Sequence, residues 1–426
     1  MLNEFRRYQA SAHFERGRQF ERSGRLEEAM AEFKSAVEAD PSYAAAHNAL
    51  GQHYRRKGLL TKATEEFRMA VKLAQDYESY FNLGKALFDL DRHREAREAF
   101  QRCLALNPGD PSARYELACA NYGLGDYSAA VQEMGDLVTL FPEDWEFPYV
   151  LGSCYLRMGQ YGQAERQLRH ALALAQTEED SWPIGDALSV AQRAQEFAPE
   201  QALGVKDRLY QDHGVVCLGT GHDDGLQIPE YFLYNFAYQD VAITLRRFQT
   251  LAEAFGWSFD AIVSLDAESS PLALALVEML GAPMREIDEP HDDQFVLLVF
   301  GIGRTPELLQ VAMERLPDMT ISFGLSVSWL PQSDTLPDII GVATQEESSL
   351  PWRRVTPLSR QHVPDDEQGR RAVVLKPPYE DTRGPDKIAA DILQAVKGLP
   401  WEQNWREQVD YYDRKHTRLR FFAGSA

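Results

Sequence analysis

Small residues fall at a near-constant step along the first half of the chain: Gly17, Gly51, Gly84, Ala118 and Gly152, separated by 34, 33, 34 and 34 residues. Other positions keep the same phase. Twelve residues after each small one stands an alanine (Ala29, Ala63, Ala96, Ala130, Ala164), and sixteen after it a large apolar residue (Phe33, Phe67, Phe100, Met134, Leu168). Within each unit the apolar positions recur three and four apart, the period of an amphipathic helix, so each unit reads as two helices, A and B. The small residue on helix A lets helix B approach closely, and the alanine on helix B fills the matching position. Between the two stands Gly24, Gly58, Asp91, Gly125 or Gly159, where a left-handed turn is cheap for Gly and tolerable for Asp. One hairpin cannot bury its apolar face alone, so the units must stack into a helical solenoid.

Beyond residue 177 the phase is lost. TEED (177–180) reads as a loop, and 184–197 and 200–210 read as two capping or bridging helices. From about Gln211 the pattern changes class. Short, β-branched, mostly continuous apolar runs appear at 214–219, 260–265, 295–300, 319–327 and 338–343, with helical stretches at 238–256, 271–280 and 306–316. Buried strands alternating with helices predict an α/β domain with a mainly parallel sheet covered on both faces. Helices near 385–397 and 401–412 and a strand at RAVVL (371–375) would complete it, with 344–370 as a polar surface loop. The expected organisation is a five-repeat solenoid over 1–177, capping helices over 178–210 and an α/β domain over 211–426.

Composition narrows the partners. The 426-residue chain carries a net charge of −21. Residues 1–210 hold 25 basic against 32 acidic side chains, and 211–426 hold 19 against 33. With no run of Lys or Arg, such a field repels nucleic acid and anionic lipid. No apolar stretch is long enough to insert directly into a membrane, and the N-terminus lacks the apolar core of a signal peptide. Cys103, Cys119, Cys154 and Cys217 are scattered and read as reduced packing residues, which points to a cytoplasmic location. His222-Asp223-Asp224 and His291-Asp292-Asp293 read as solvated loops, because adjacent ligands on a loop seldom close a metal site. Neither a metal nor a cofactor is expected.

The in-phase positions resemble the tetratricopeptide repeat over roughly residues 10 to 177. That resemblance implies a scaffold that binds proteins in a groove lined by helix A. Its partner-contacting positions hold Phe14, Arg18, Glu21 and Arg22 in the first repeat, then Asn48, Gln52, Arg55 and Arg56. They continue with Phe81, Lys85, Phe88 and Asp89, and then Tyr115, Cys119, Tyr122, Tyr149, Ser153 and Arg157. The groove is therefore expected to be basic in its first half and aromatic in its second, and to take an acidic, partly apolar segment of a partner protein.

The segment FDAIVSLDAESSPLALALVEMLGAPM (259–284) resembles part of a type I phosphoribosyltransferase: strand, short loop, helix of small residues, then Leu280, Gly281, Ala282, Pro283. The resemblance implies that the loop from Asp266 through Glu268 and Ser269 to Ser270 faces a pyrophosphate. The family's second motif, an acidic pair followed by Thr-Thr-Gly, falls on VLLVFGIGRTPELL (296–309). There the acids are replaced by Phe300 and Gly301, only Thr305 coincides with a threonine, and Pro306 takes the glycine's place. Gly301, Gly303, Arg304 and Thr305 can still bind an anion through close backbone approach and a bidentate guanidinium. They equally describe a tight strand-to-helix turn. The expected function is a non-enzymatic adaptor with a catalytically degenerate α/β domain. The alternative is a divergent phosphoribosyltransferase or a nucleotide or sugar-phosphate sensor.

Overall fold

The computed structural model describes residues 2–198, 201–291, 294–328, 335–346, 348–354, 379–400, 404–414 and 416. It divides into two compact units, Met1–Ala191 and Gln192–Ala426. The division falls ahead of the expected boundary near Gln211, because the helix at Val205–His213 packs against the strand Val216–Cys217 of the second unit.

The first unit is built from helical hairpins: α1 (Leu2–Arg22) with α2 (Leu26–Ala39), α3 (Ala44–Arg56) with α4 (Leu60–Ala74), and α5 (Tyr77–Phe88) with α6 (His93–Leu106). The series continues with α7 (Pro111–Gly123) and α8 (Tyr127–Leu140), then α9 (Glu146–Arg157) and α10 (Tyr161–Leu174). A Cβ added at Gly17, Gly51 or Gly84 would lie 2.6 Å from the ring of Phe33, Phe67 or Phe100, and one at Gly152 would lie 2.8 Å from Leu168. The small position thus admits the large residue sixteen places on, and the five in-phase alanines are completely buried. In the turns Asp91 adopts φ 57°, beside 71° at Gly58 and 77° at Gly125. TEED is not a loop: α11 (Glu178–Ala194) begins there. The Thr177 hydroxyl accepts from the Asp180 N–H at 3.1 Å and donates to its carboxylate at 2.6 Å, which caps the first turn.

In the second unit α12 (Val205–His213) precedes β1 (Val216–Cys217), α13 (Tyr238–Ala254), β2 (Ala261–Ser264), α14 (Ser270–Leu280) and β3 (Met284–Arg285). Then come β4 (Val296–Gly303), α15 (Pro306–Met313), β5 (Thr320–Val327), β6 (Ile339–Ala343), the short antiparallel pair β7 (Arg353–Arg354) and β8 (Tyr379–Glu380), α16 (Pro385–Lys397) and α17 (Asn404–Tyr412). The main sheet is parallel in every pairing, in the order β1-β6-β5-β4-β2-β3. Every residue of β4 and β5 is buried, as a sheet covered on both faces requires. Chain order reverses between β2 and β4, so their carboxyl ends form the switch point where open α/β sheets gather ligands. At the β1 edge the Tyr412 hydroxyl accepts from the Cys217 N–H and donates to the Cys217 carbonyl, both at 2.8 Å. It occupies polar groups that an edge strand otherwise leaves open. The strand expected at 371–375 and most of the 344–370 loop lie outside the described residues.

Candidate functional site

Arg55, Arg56 and Lys85 of the expected basic half form an internal lattice of ion pairs rather than a row of free cations. Arg55 donates to Asp89 at 2.7 Å, Arg56 to Glu21 at 2.5 Å, and Lys85 pairs with Glu116. Asn48 is buried and donates to the Ser79 hydroxyl at 2.8 Å. These partners stand 31 to 35 residues apart, so each pair ties one repeat to the next. Arg18 is exposed, with its guanidinium 6.0 Å from the Phe14 ring centroid, and Gln52 is half-buried.

The aromatic half also packs. Phe81 stacks on Tyr77 at 5.7 Å and meets Phe100 edge-on at 5.9 Å. Tyr115 meets Phe147 at 5.7 Å, Tyr122 meets Tyr127 at 5.3 Å, and Tyr149 lies 6.1 Å from Trp145. Burial pushes the phenols of Tyr115, Tyr122 and Tyr149 up. All four of these groove aromatics remain half-buried, so each keeps part of its surface outside the core.

At the switch point the loop after β2 meets the end of β4. Arg304 holds Glu268 with both arms, at 2.7 and 2.9 Å. Arg353 lies 3.6 Å from the same carboxylate, and the Trp352 indole donates to the Glu268 carbonyl at 2.9 Å. Ser269 donates its N–H and hydroxyl to Asp266 at 2.8 and 2.7 Å and accepts from the Gly301 N–H at 2.8 Å. The Ser270 hydroxyl reaches the Asp266 carbonyl at 3.5 Å. Gly301 and Gly303 are strand residues rather than loop, because β4 runs on to pair Gly303 with Val327. The missing Cβ of Gly301 accommodates Leu350, 2.7 Å away. Thr305 takes the N-cap position of α15 without a side-chain capping bond, and Pro306 follows in its first turn. The cavity here measures about 50 Å³. The Phe300 ring, 1% exposed, fills the space beside Gly324, where a Cβ would lie 2.0 Å away. The guanidinium fork is thus occupied by a carboxylate, and Phe300 is a core phenyl.

The loop after β1 holds polar groups that the sequence pattern missed. His222-Asp223-Asp224 is not simply a solvated loop: the Asp223 side chain is 1% exposed and pairs with buried Arg247 at 3.1 Å. Its oxygens also accept from Thr220 N–H at 2.9 Å, Gly225 N–H at 2.8 Å and Tyr231 hydroxyl at 3.0 Å. His222 lies 2.5 Å from the Tyr234 hydroxyl and 3.3 Å from Asp240. A legible signal was an arginine at position 247 among the apolar residues of α13. Of the second triplet, His291 is buried against the Glu286 carbonyl at 2.9 Å, and 292 and 293 lie outside the described residues. Among the described residues no acidic, histidine and cysteine cluster has the geometry to hold a metal, and no helix is long and apolar enough to cross a membrane.

The hairpins, turns and glycine–aromatic contacts define a solenoid of the helical-repeat class. Models of the tetratricopeptide repeat match residues 3–44, 14–78 and 81–144, and a second such model matches 122–182. The first unit is a tetratricopeptide-repeat array. A stretch of 134 residues is 28% identical to the BBSome complex member BBS4 of Bos taurus, covering 29% of this chain and 26% of that one. The Xenopus tropicalis protein of the same name is 35% identical over 81 residues, 19% of this chain and 16% of that one. The chain thus spans about a quarter or less of the length of these relatives. Among solved structures, YrrB, a tetratricopeptide protein with an unusual peptide-binding site, aligns at 21% identity with a TM-score of 0.38, over 41% of this chain and 90% of that one.

Proposed function

We propose that this protein is a non-enzymatic cytoplasmic adaptor that holds a segment of a partner protein in the inner groove of its repeat array. The observation that carries this reading is the row of half-buried aromatics, Phe81, Tyr115, Tyr122 and Tyr149, continued in phase along helix A of successive repeats. The resemblance to a named member of a protein complex supports the same class of role. Arg55, Arg56 and Lys85 already hold carboxylates, so an incoming acid must displace one, and the partner's apolar side chains supply most of the affinity. Tyr115→Ala and Tyr149→Ala are each expected to weaken capture by about 1–3 kcal/mol. Arg55→Glu is expected to change mainly the salt dependence. Affinity capture with the full chain, followed by titration of the purified partner, tests this. Wild-type binding by both tyrosine variants, with helicity intact, would remove the groove as the interface.

The α/β unit reads as a phosphoribosyltransferase-like domain that has lost catalysis. Supporting this are the strand–loop–helix ending in Leu280–Pro283, a phenyl and a glycine where two acids are needed, and Arg304 engaged by Glu268. Without those acids neither ribose hydroxyls nor an associated cation has a ligand, and their stabilisation of developing charge goes with them. Pyrophosphate-dependent exchange on a nucleobase by the pure protein would overturn this and favour the enzyme.

A further inference from the structure

Three of the five repeats bridge helix A to helix B with a charged pair, and in the third repeat that bridge is missing. His13 meets Glu32 at 2.8 Å, His47 meets Glu66 at 2.7 Å and Arg114 meets Glu133 at 3.8 Å. The same phase places Pro148 and Gln167 in the fifth repeat, where the Gln167 side-chain oxygen is buried. In the third repeat it places Tyr80 and Ala99, so the long acidic side chain is reduced to a methyl group.

The difference leaves a cleft. About 480 Å³ opens between α4 and α6 above α5, inside the range of roughly 300–1,000 Å³ typical of ligand sites. Buried Leu83, Leu87 and Ala99 form its floor, and Arg68, Tyr80, Glu98 and Arg102 stand around it. At the groove one repeat earlier Tyr54 holds the place of Leu87, and Lys34 and Lys62 each lie 5.9 Å from its ring centroid and cover it. In the third repeat Arg68 and Glu95 take the places of those lysines and bond to each other at 2.7 Å. Tyr80, Leu83 and Leu87 lie three and four residues apart, on a face of α5 turned away from Phe81, Lys85 and Phe88 of the inner groove. Glu98 and Arg102 are exposed, one turn apart on α6. Among the described residues neither side chain meets an opposite charge.

We propose that this cleft is a second docking site, which takes an amphipathic helix of a partner protein. One apolar side chain of that helix sits on the floor, a basic residue faces Glu98, and an acidic residue one turn on faces Arg102. A helix fits because side chains one turn apart stand roughly 5–6 Å from each other on either partner, and because the groove between two packed helices accepts the ridge of a third. Burial of the apolar side chain supplies the affinity, and the two charges set the direction of the helix. The inner groove stays free, so the array holds two partners at once.

A phage-displayed library of amphipathic helical peptides, selected on the full chain, tests this. The retained peptides are expected to carry a base and an acid one turn apart beside a large apolar residue. Tyr80→His combined with Ala99→Glu rebuilds the bridge that His47 and Glu66 make in the second repeat and fills the cleft. It is expected to fold and to weaken the retained peptides by about tenfold or more. Arg102→Glu, at an exposed position, should weaken them too, and changing the peptide's acid to lysine should restore binding. If the double variant does not fold, that charge exchange decides. Overturning results are an empty selection, undiminished binding to the double variant, no recovery on charge exchange, or peptides that bind without helical circular dichroism. A wild-type oligomer that the double variant dissociates would place a second copy in the cleft and overturn the proposal as well.

Discussion

The repeat is held together by one contact between a missing side chain and a large one. At Gly84 a Cβ would stand 2.6 Å from the Phe100 ring, so Gly84→Ala forces the ring or the helix aside, at a cost of about 1–3 kcal/mol. The fourth repeat already carries the alternative solution, with Ala118 and Met134 both completely buried. Methionine is unbranched and adapts its shape. Gly84→Ala combined with Phe100→Met is therefore expected to be less destabilised than the sum of the two single changes, measured by urea unfolding as a double-mutant cycle. Additive losses would show that the small position is set by something other than that ring. The cysteines give a second test at this scale. Burial pushes the thiols of Cys103, Cys119, Cys154 and Cys217 up to about 12. All four should resist alkylation at pH 8 in the native protein and react once it is denatured, counted by mass spectrometry.

Helix α3 carries two histidines that respond to pH in opposite senses. His47 is buried, which opposes its charge, but Glu66 at 2.7 Å and the Pro41 carbonyl at 3.1 Å outweigh burial and raise its pKa. A raised folded pKa means that its contribution is full below the ordinary value near 6.5 and is lost as pH rises through the folded one. His53 is lowered by burial and then by Arg56, with Glu21 opposing. The unfolded chain protonates it more readily, so stability falls as pH drops through about 6.5. His47→Gln should thus flatten the decline above that pH, and His53→Gln the decline below it, in stability measured from pH 5 to 8. The start of α11 offers a simpler change: Thr177→Ala removes the hydroxyl that accepts from Asp180 and is expected to cost about 1 kcal/mol. That cap is readable as Thr-x-x-Asp ahead of an apolar run, a signal that the loop reading of TEED passes over. Acidic side chains in a first turn favour a helix, because they face its positive end.

Across the molecule, what was legible depends on how far apart the interacting residues lie. The 34-residue phase, the hairpins and the left-handed turns follow from local rules: a 3.6-residue period, a small residue against a large one, and a backbone conformation open to Gly and tolerated by Asp91. The strand segments β1, β2, β4, β5 and β6 were likewise marked by continuous apolar runs, since strands buried on both faces have no polar side to show. The chain alone therefore determined the repeat array and the alternation of strands with helices. It did not determine which charges are free. Arg55 meets Asp89 across a repeat, Arg304 meets Glu268 across 36 positions, and Lys206 lies over Tyr411, more than 200 residues away in sequence. Each of these cations is simply a charged residue in the sequence. Whether it is neutralised by a carboxylate, as in the groove and at the switch point, or held among aromatic rings and a carbonyl, as Lys206 is, was decided only when packing brought distant segments together and removed the water that would otherwise have screened them.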